Sequence, residues 1–205
     1  FDTETTGLDP GSGDRIVEIA GIRFKGKEKT GEFQSLINPL REISPAAFAV
    51  NRITPGMLEN APVMEKVVPG FMDFIRDSCL CSYNAPFDLG FLKNELRLAG
   101  YSPAYKNETV DILKMAKRIL PGLERYALWF VADKLGIKSQ QQHRAFSDVE
   151  LTLKVFFRLK EMFKGKVVSD FGNFLSVFGV NSVLLDNISS QKLAARMTRS
   201  ASPPP

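Results

Sequence analysis

The sequence predicts an α/β fold, a mixed sheet covered by helices. Two features predict it. Up to Asn38 the chain reads as strands joined by short turns, an antiparallel meander. From Ser44 onward short apolar strands alternate with helical stretches, and there is no internal repeat. The 205 residues suit one folded domain with a tail, and a composition 44% hydrophobic and 24% charged excludes wholesale disorder.

The first element is Phe1-Asp2-Thr3-Glu4-Thr5-Thr6-Gly7-Leu8. Side chains alternate along a strand, so Asp2 and Glu4 would share a face about 6–7 Å apart. Like charges so placed repel and raise each other's pKa unless a cation lies between them. A divalent metal answers that need. An edge strand with two solvated acids ahead of a turn is the other reading, and the commoner one for an isolated Asp-x-Glu. A central strand would carry apolar residues ahead of Phe1, and we expect the sequence to begin inside that strand.

Residues 15–24 (RIVEIAGIRF) read as a second strand. A turn follows at Lys25-Gly26-Lys27-Glu28, and a third strand spans Glu32 to Ile37. Ser44-Pro45 and Thr54-Pro55 are cap-plus-proline starts of two short helices. Pro62 opens a longer helix with Val67, Phe71 and Ile75 at helical spacing. Cys79 to Asn84 is a short strand, and Pro86 to Ala99 a helix stopped by Gly100. Thr109 to Ile112 is another short strand. Helices follow at about 111–119, 123–135 and, after a Gln-rich loop, 144–163.

The pattern weakens after Phe163, so the folded domain is expected to span 1–163. Residues 164–205 form a basic extension, partly helical (Phe171, Phe174, Leu175, Phe178) and then disordered beyond about Ser189. The net charge of the whole chain is +4, and the extension alone, with five Lys/Arg against two acids, carries +3 of it. That permits a polyanionic partner without demanding one. Cys79 and Cys81 lack a second Cys or His pair to complete a zinc site and are expected to be buried thiols. With no signal peptide and no apolar run near the length of a membrane span, we expect a cytoplasmic protein with no membrane partner.

Three later places could answer the opening acids. Asp88, in Asn84-Ala85-Pro86-Phe87-Asp88, falls in the first turn of a helix, where the dipole favours a carboxylate. His143, the one histidine, stands five residues before Asp148. Five helical residues turn through roughly 500°, so the two converge only if His143 lies in the preceding loop and swings back. There it would suit general-base work on water. Asp111 reads as an N-cap or a supporting acid.

Phe-Asp-Thr-Glu-Thr-Thr-Gly, Asn-Ala-Pro-Phe-Asp and His-Arg-Ala-Phe-Ser-Asp, in that order, closely resemble the three motifs of the DEDDh exonucleases. These form the DnaQ-like family of 3′→5′ exonucleases, which includes the proofreading epsilon subunit of bacterial DNA polymerase III. The resemblance covers about residues 1–160. It implies a ribonuclease H-like fold, a five-stranded mixed sheet with helices on both faces. It also implies two divalent cations, Mg²⁺ or Mn²⁺, held by Asp2, Glu4, Asp88 and Asp148, with His143 as general base. Asp2 would bridge the ions, Glu4 and Asp148 would complete the tighter site, and Asp88 would reach the second partly through water. In the sister subfamily a tyrosine stands four residues before the last acid; here that position is Arg144.

Thr3, Thr5, Thr6, Gly7 and Leu8, with Asn84 and Phe87, would cradle the terminal nucleotide; Phe87 reads equally well as core. The family often has His-Gly ahead of its Ile-Thr helix start, where this chain has Asn51-Arg52. After Asp148 it commonly has small residues, where this chain has Val149-Glu150-Leu151. The implied activity is release of nucleoside 5′-monophosphates from single-stranded or frayed 3′ ends of DNA, in replication proofreading. A polymerase subunit could then be met through the C-terminal extension. Two alternatives stay open: a stand-alone DNA or RNA exonuclease of repair or RNA turnover, and a polymerase- or nucleic-acid-docking module.

Overall fold

The strand Ile16–Lys25 (β2) is the spine of the meander. Its first six residues are all buried, because helices cover it from both sides. It pairs antiparallel with Asp2–Thr5 (β1) on one edge and Glu28–Leu36 (β3) on the other. A computed structural model describes residues 1–102, 106–138, 143–163 and 171–180 of the chain.

Short helices follow at Pro45–Asn51 (α1) and Pro55–Leu58 (α2). Ser44 and Thr54 cap them as their sequence promises, each side-chain oxygen accepting an amide three residues on. Met64–Phe74 (α3) leads to Leu80–Ser82 (β4), Ala85–Leu98 (α4) and Thr109–Asp111 (β5), with β5 parallel to β4. Ile112–Ile119 (α5), Leu128–Lys134 (α6) and Ala145–Phe163 (α7) complete the helical cover. α6 starts five residues later than its periodicity predicts. The intervening turn is held by the Tyr126 hydroxyl, which accepts from the Leu123 amide and donates to the Leu120 carbonyl. Among the described residues, no helix is long and apolar enough to cross a membrane.

Two apolar layers fix the arrangement. Ile16, Ile19 and Ile37 pack with Phe71 and Met72 of α3 and Phe91 and Leu92 of α4. Ala20, next to Ile19 and so on the other side of β2, packs instead on Ala145 and Val149 of α7. The helices therefore lie on both faces of β2, and α7 comes to rest over β1 and β2.

The five-stranded sheet expected from the sequence is replaced by six described strands in two three-stranded sheets, β1-β2-β3 and β4-β5-β6. The sixth strand, Gly179–Val180 (β6), pairs antiparallel with β5 and is too short to carry a periodic signal. Just ahead of β1, the Phe1 amino group donates to the Cys81 carbonyl of β4 (2.7 Å).

Phe171–Phe178 (α8) and β6 pack onto the body, with Phe178 fully buried against Phe163 and Phe174. The disorder expected beyond Ser189 lies outside the described residues. Cys79 is exposed and Cys81 half-buried, against the expectation of two buried thiols. They sit where β4 borders a cleft between the two sheets, lined by Phe1, Phe24, Phe74 and Phe156. This cleft is separate from the acidic residues described next.

Candidate active site

The alternation of β1 turns Thr3 and Thr5 into the interior and leaves Asp2 and Glu4 half-buried on its other face. Asp148 enters from the first turn of α7, brought over β1 by the packing of Ala145 and Val149 on Ala20. Asp2, Glu4 and Asp148 each offer an oxygen, and the three lie within 4.8 Å of one another. Three acids so close are costly without a counter-ion, and their titration reflects it. Glu4 is pushed up to about 8 by burial, then by the charges of Asp148, Glu18 and Asp88. Asp2 is held far above the usual carboxylate range, first by burial and then by Asp88, Glu4 and Asp148. Burial also raises Asp148, and the nearby His143 opposes that rise.

His143 stands just ahead of α7 with its backbone in the left-handed region (φ 44°). A loop turn of this kind is what lets a residue five positions ahead of Asp148 approach it, since an unbroken helix would set the two on different sides.

Asp88 is sited differently. It is almost fully buried in the first turn of α4. One oxygen accepts the Thr3 amide (2.9 Å) and hydroxyl (2.7 Å), and the other accepts the Ser82 hydroxyl (2.5 Å). Burial lifts it to about 6 against the opposing pull of Ser82 and Thr3. It stands outside the three converging oxygens yet raises both Asp2 and Glu4. Asp111 caps α5 through the Leu113 amide (3.0 Å) and also accepts the Asn84 amide (3.2 Å).

The residues expected to cradle a nucleotide divide into two groups. Thr3, Thr5 and Thr6 are buried, with their hydroxyls on Asp88, the Gly7 carbonyl and Asp14 respectively. They shape the loop from within. A Cβ at Gly7 would stand 2.2 Å from an Asp14 oxygen, so a side chain there would push the Asp14 carboxylate off Thr6 and the Asp9 amide. Leu8 (84% exposed) and Asn84 face solvent, while Phe87 is half-buried against Phe91 and the core. Asn51, at the position of the family's histidine, is buried. Its amide nitrogen donates to the Thr5 carbonyl (3.2 Å) and its oxygen accepts the Ile53 amide.

Sequence reasoning missed Glu18 and Arg144. Glu18 is fully buried on β2 opposite Glu4. It receives Arg144 through Nη2 (2.8 Å) and Nε (3.0 Å), the Ala145 amide (3.1 Å) and Gln34 (3.0 Å). Burial pushes Glu18 up, but these donors outweigh it and hold the carboxyl below its ordinary range. An acid inside an otherwise apolar strand run (Ile16-Val17-Glu18-Ile19-Ala20) was the available signal.

A half-buried cluster of carboxylates with raised pKa values, beside a histidine and made only of hard oxygen donors, fits divalent cations of the Mg²⁺ type. Fold and site thus define an α/β domain whose acid cluster can accept such ions. The comparisons agree: the exonuclease family RNase_T matches residues 1–156, and the chain belongs to that family, whose DEDDh members generally use divalent metal ions.

Among similar curated proteins is the DNA polymerase III PolC-type of Thermotoga maritima, 39% identical over 165 residues, 80% of this chain and 12% of that protein. A DNA polymerase III subunit epsilon-like protein of Rhodobacter capsulatus is 36% identical over 180 residues, 86% of this chain and 25% of that one. The chain therefore spans a quarter or less of the length of these relatives. The solved structure of Exonuclease X in complex with 5′ overhanging duplex DNA is 26% identical, with a TM-score of 0.64 over 82% of this chain and 92% of the other. The nuclease domain of 3′hExo, a DEDDh member bound to rAMP, shares the fold at a TM-score of 0.66 and 16% identity, over 80% of this chain and 90% of that one.

Proposed function

We propose that this chain is a 3′→5′ exonuclease domain that hydrolyses phosphodiester bonds at 3′ ends of DNA and releases nucleoside 5′-monophosphates. The observation that carries the reading is the convergence of Asp2, Glu4 and Asp148 within 4.8 Å, with His143 close enough to Asp148 to influence its ionisation. Asp2, Glu4 and Asp148 would hold two Mg²⁺ or Mn²⁺ ions, with Asp88 adding its charge from behind. Such ions supply Lewis-acid stabilisation of charge on the transferring phosphoryl group and a more acidic water. His143 accepts the proton of the attacking water. Leu8, Asn84 and Phe87 meet the terminal nucleoside, and the buried threonines hold the loop that presents Leu8.

The PolC-type and epsilon-like relatives favour a role in replication proofreading, in the cytoplasm. On the same reading the C-terminal extension, residues 164–205, provides the link to a polymerase subunit. The test is digestion of 5′-labelled single-stranded DNA, a mismatched primer–template and a short oligoribonucleotide, with Mn²⁺ and with chelator. Stepwise shortening from the 3′ end, lost in Asp2→Ala and reduced to a slow but measurable rate in His143→Ala, is the expected result. Unchanged nuclease activity in Asp2→Ala would sink the assignment. Preference for the oligoribonucleotide over the mismatched primer would replace proofreading with RNA turnover.

A further inference from the structure

We propose that Glu18 is a positioning residue, holding the amino end of α7 through Arg144 and the Ala145 amide and so setting where His143 stands against the acid cluster. The inference rests on the general-base role assigned above to His143. It starts from register: Glu18 pairs with Glu4 across β1 and β2, so the two acids share one face of the sheet. Glu4 faces the cluster, whereas Glu18 is fully buried beneath α7.

Both Glu18 oxygens are engaged. One accepts Arg144 Nη2 and Gln34, the other Arg144 Nε and the Ala145 amide. The bidentate geometry fixes the guanidinium in orientation as well as distance. The Ala145 amide is one of the first-turn donors that a helix cannot satisfy internally, and a carboxylate is the favoured group at that end. The Arg144 carbonyl in turn accepts the Asp148 amide (3.0 Å), so the same residue begins the turn that carries the third acid.

His143 adjoins this latch through one peptide bond and holds a left-handed backbone that disfavours a side chain. A strained rotation of this kind persists only where its surroundings impose it. The latch also explains which of two neighbouring side chains reaches the cluster. Position 144 is where the sister subfamily places its tyrosine, but here the side chain is drawn away to Glu18, leaving position 143 to face Asp148.

The test is Glu18→Gln, which keeps the shape but brings an amide N–H₂ against the donors, compared with Arg144→Lys, which keeps the charge but loses the fork. A misplacement of about 1 Å at a reacting group costs on the order of 10²-fold. We expect kcat to fall roughly 10- to 100-fold in either variant, with KM for a single-stranded 3′ end within about twofold of wild type. In a His143→Ala background, adding Glu18→Gln should lower kcat by less than about twofold, since two residues that act through one group are not additive.

Full additivity in that background, or wild-type kcat in both single variants, would overturn the proposal while leaving the exonuclease reading intact. Retained activity in Asp2→Ala would instead overturn the reading beneath it. Should Glu18→Gln fail to fold, Arg144→Lys alone and combined with His143→Ala gives the same comparison.

Discussion

Replacing Glu4 by glutamine separates the chemical use of the acid cluster from its cost to the fold. Burial, with the charges of Asp148, Glu18 and Asp88, moves Glu4 from an ordinary 4.5 to about 8. Between those values the ion-free folded protein keeps a proton that the unfolded chain has lost. Stability from this group therefore falls as pH rises through the window, opposite in sign to a salt-bridged acid. The whole shift corresponds to on the order of 5 kcal/mol at about 1.4 kcal/mol per unit.

About 1 kcal/mol of that is already lost at about pH 5.5, and most of the rest disappears by about pH 8. Glutamine keeps the volume and carries no charge at either pH. In urea denaturation with chelator present, the variant should gain on wild type by about 2–3 kcal/mol between about pH 5.5 and pH 8. Adding Mn²⁺ should reverse the order at the higher pH, because only the wild type recovers its acids as ligands. A difference between the two proteins that stays constant with pH would refute the reasoning, since Glu4 would then ionise as freely in the fold as outside it.

Three further outcomes follow from the packing and hydrogen bonding. Asp88→Ala leaves the Thr3 amide, the Thr3 hydroxyl and the Ser82 hydroxyl without their acceptor. It should lower unfolding free energy by at least about 2–3 kcal/mol in urea, beyond its effect on catalysis. Arg15→Ala strips the bidentate partner (2.7 and 2.8 Å) from Glu95, which is 1% exposed. A buried acid left with only the Ile16 amide (3.1 Å) as a partner should cost about 3–5 kcal/mol by the same measurement. Phe178→Ala empties a fully buried ring site between Phe163 and Phe174. A loss of about 3–5 kcal/mol is expected if residues 171–180 belong to the folded unit, and a change below about 0.5 kcal/mol would detach them from it.

What the sequence disclosed and what it hid divide along range of interaction. The alternation of Asp2 and Glu4 is a property of one strand, and the caps at Ser44 and Thr54 are properties of one turn, so each could be read locally. The need for His143 to precede its helix followed from helical geometry alone. Thr3 was read as a nucleotide contact from the resemblance of its motif; its amide and hydroxyl go to Asp88, 85 residues away. Periodicity carries no trace of such a bond. Glu18 was passed over for the same reason: within its strand it is one polar residue among apolar ones, and its meaning depends on Arg144, 126 residues further on. The two-residue β6 lies below the length at which alternation can be seen.

Thr3 and Asp88 have one more implication. The Phe1 amino group binds the Cys81 carbonyl of β4, and further along the same edge Thr3 makes two hydrogen bonds to Asp88. A carboxylate proposed to serve the reaction is thus also a rivet across the seam of the fold. An inactive form for trapping a nucleic acid is for this reason better made at Glu4 or Asp148. Silencing the enzyme at Asp88 would loosen the joint on which the shape of the site depends.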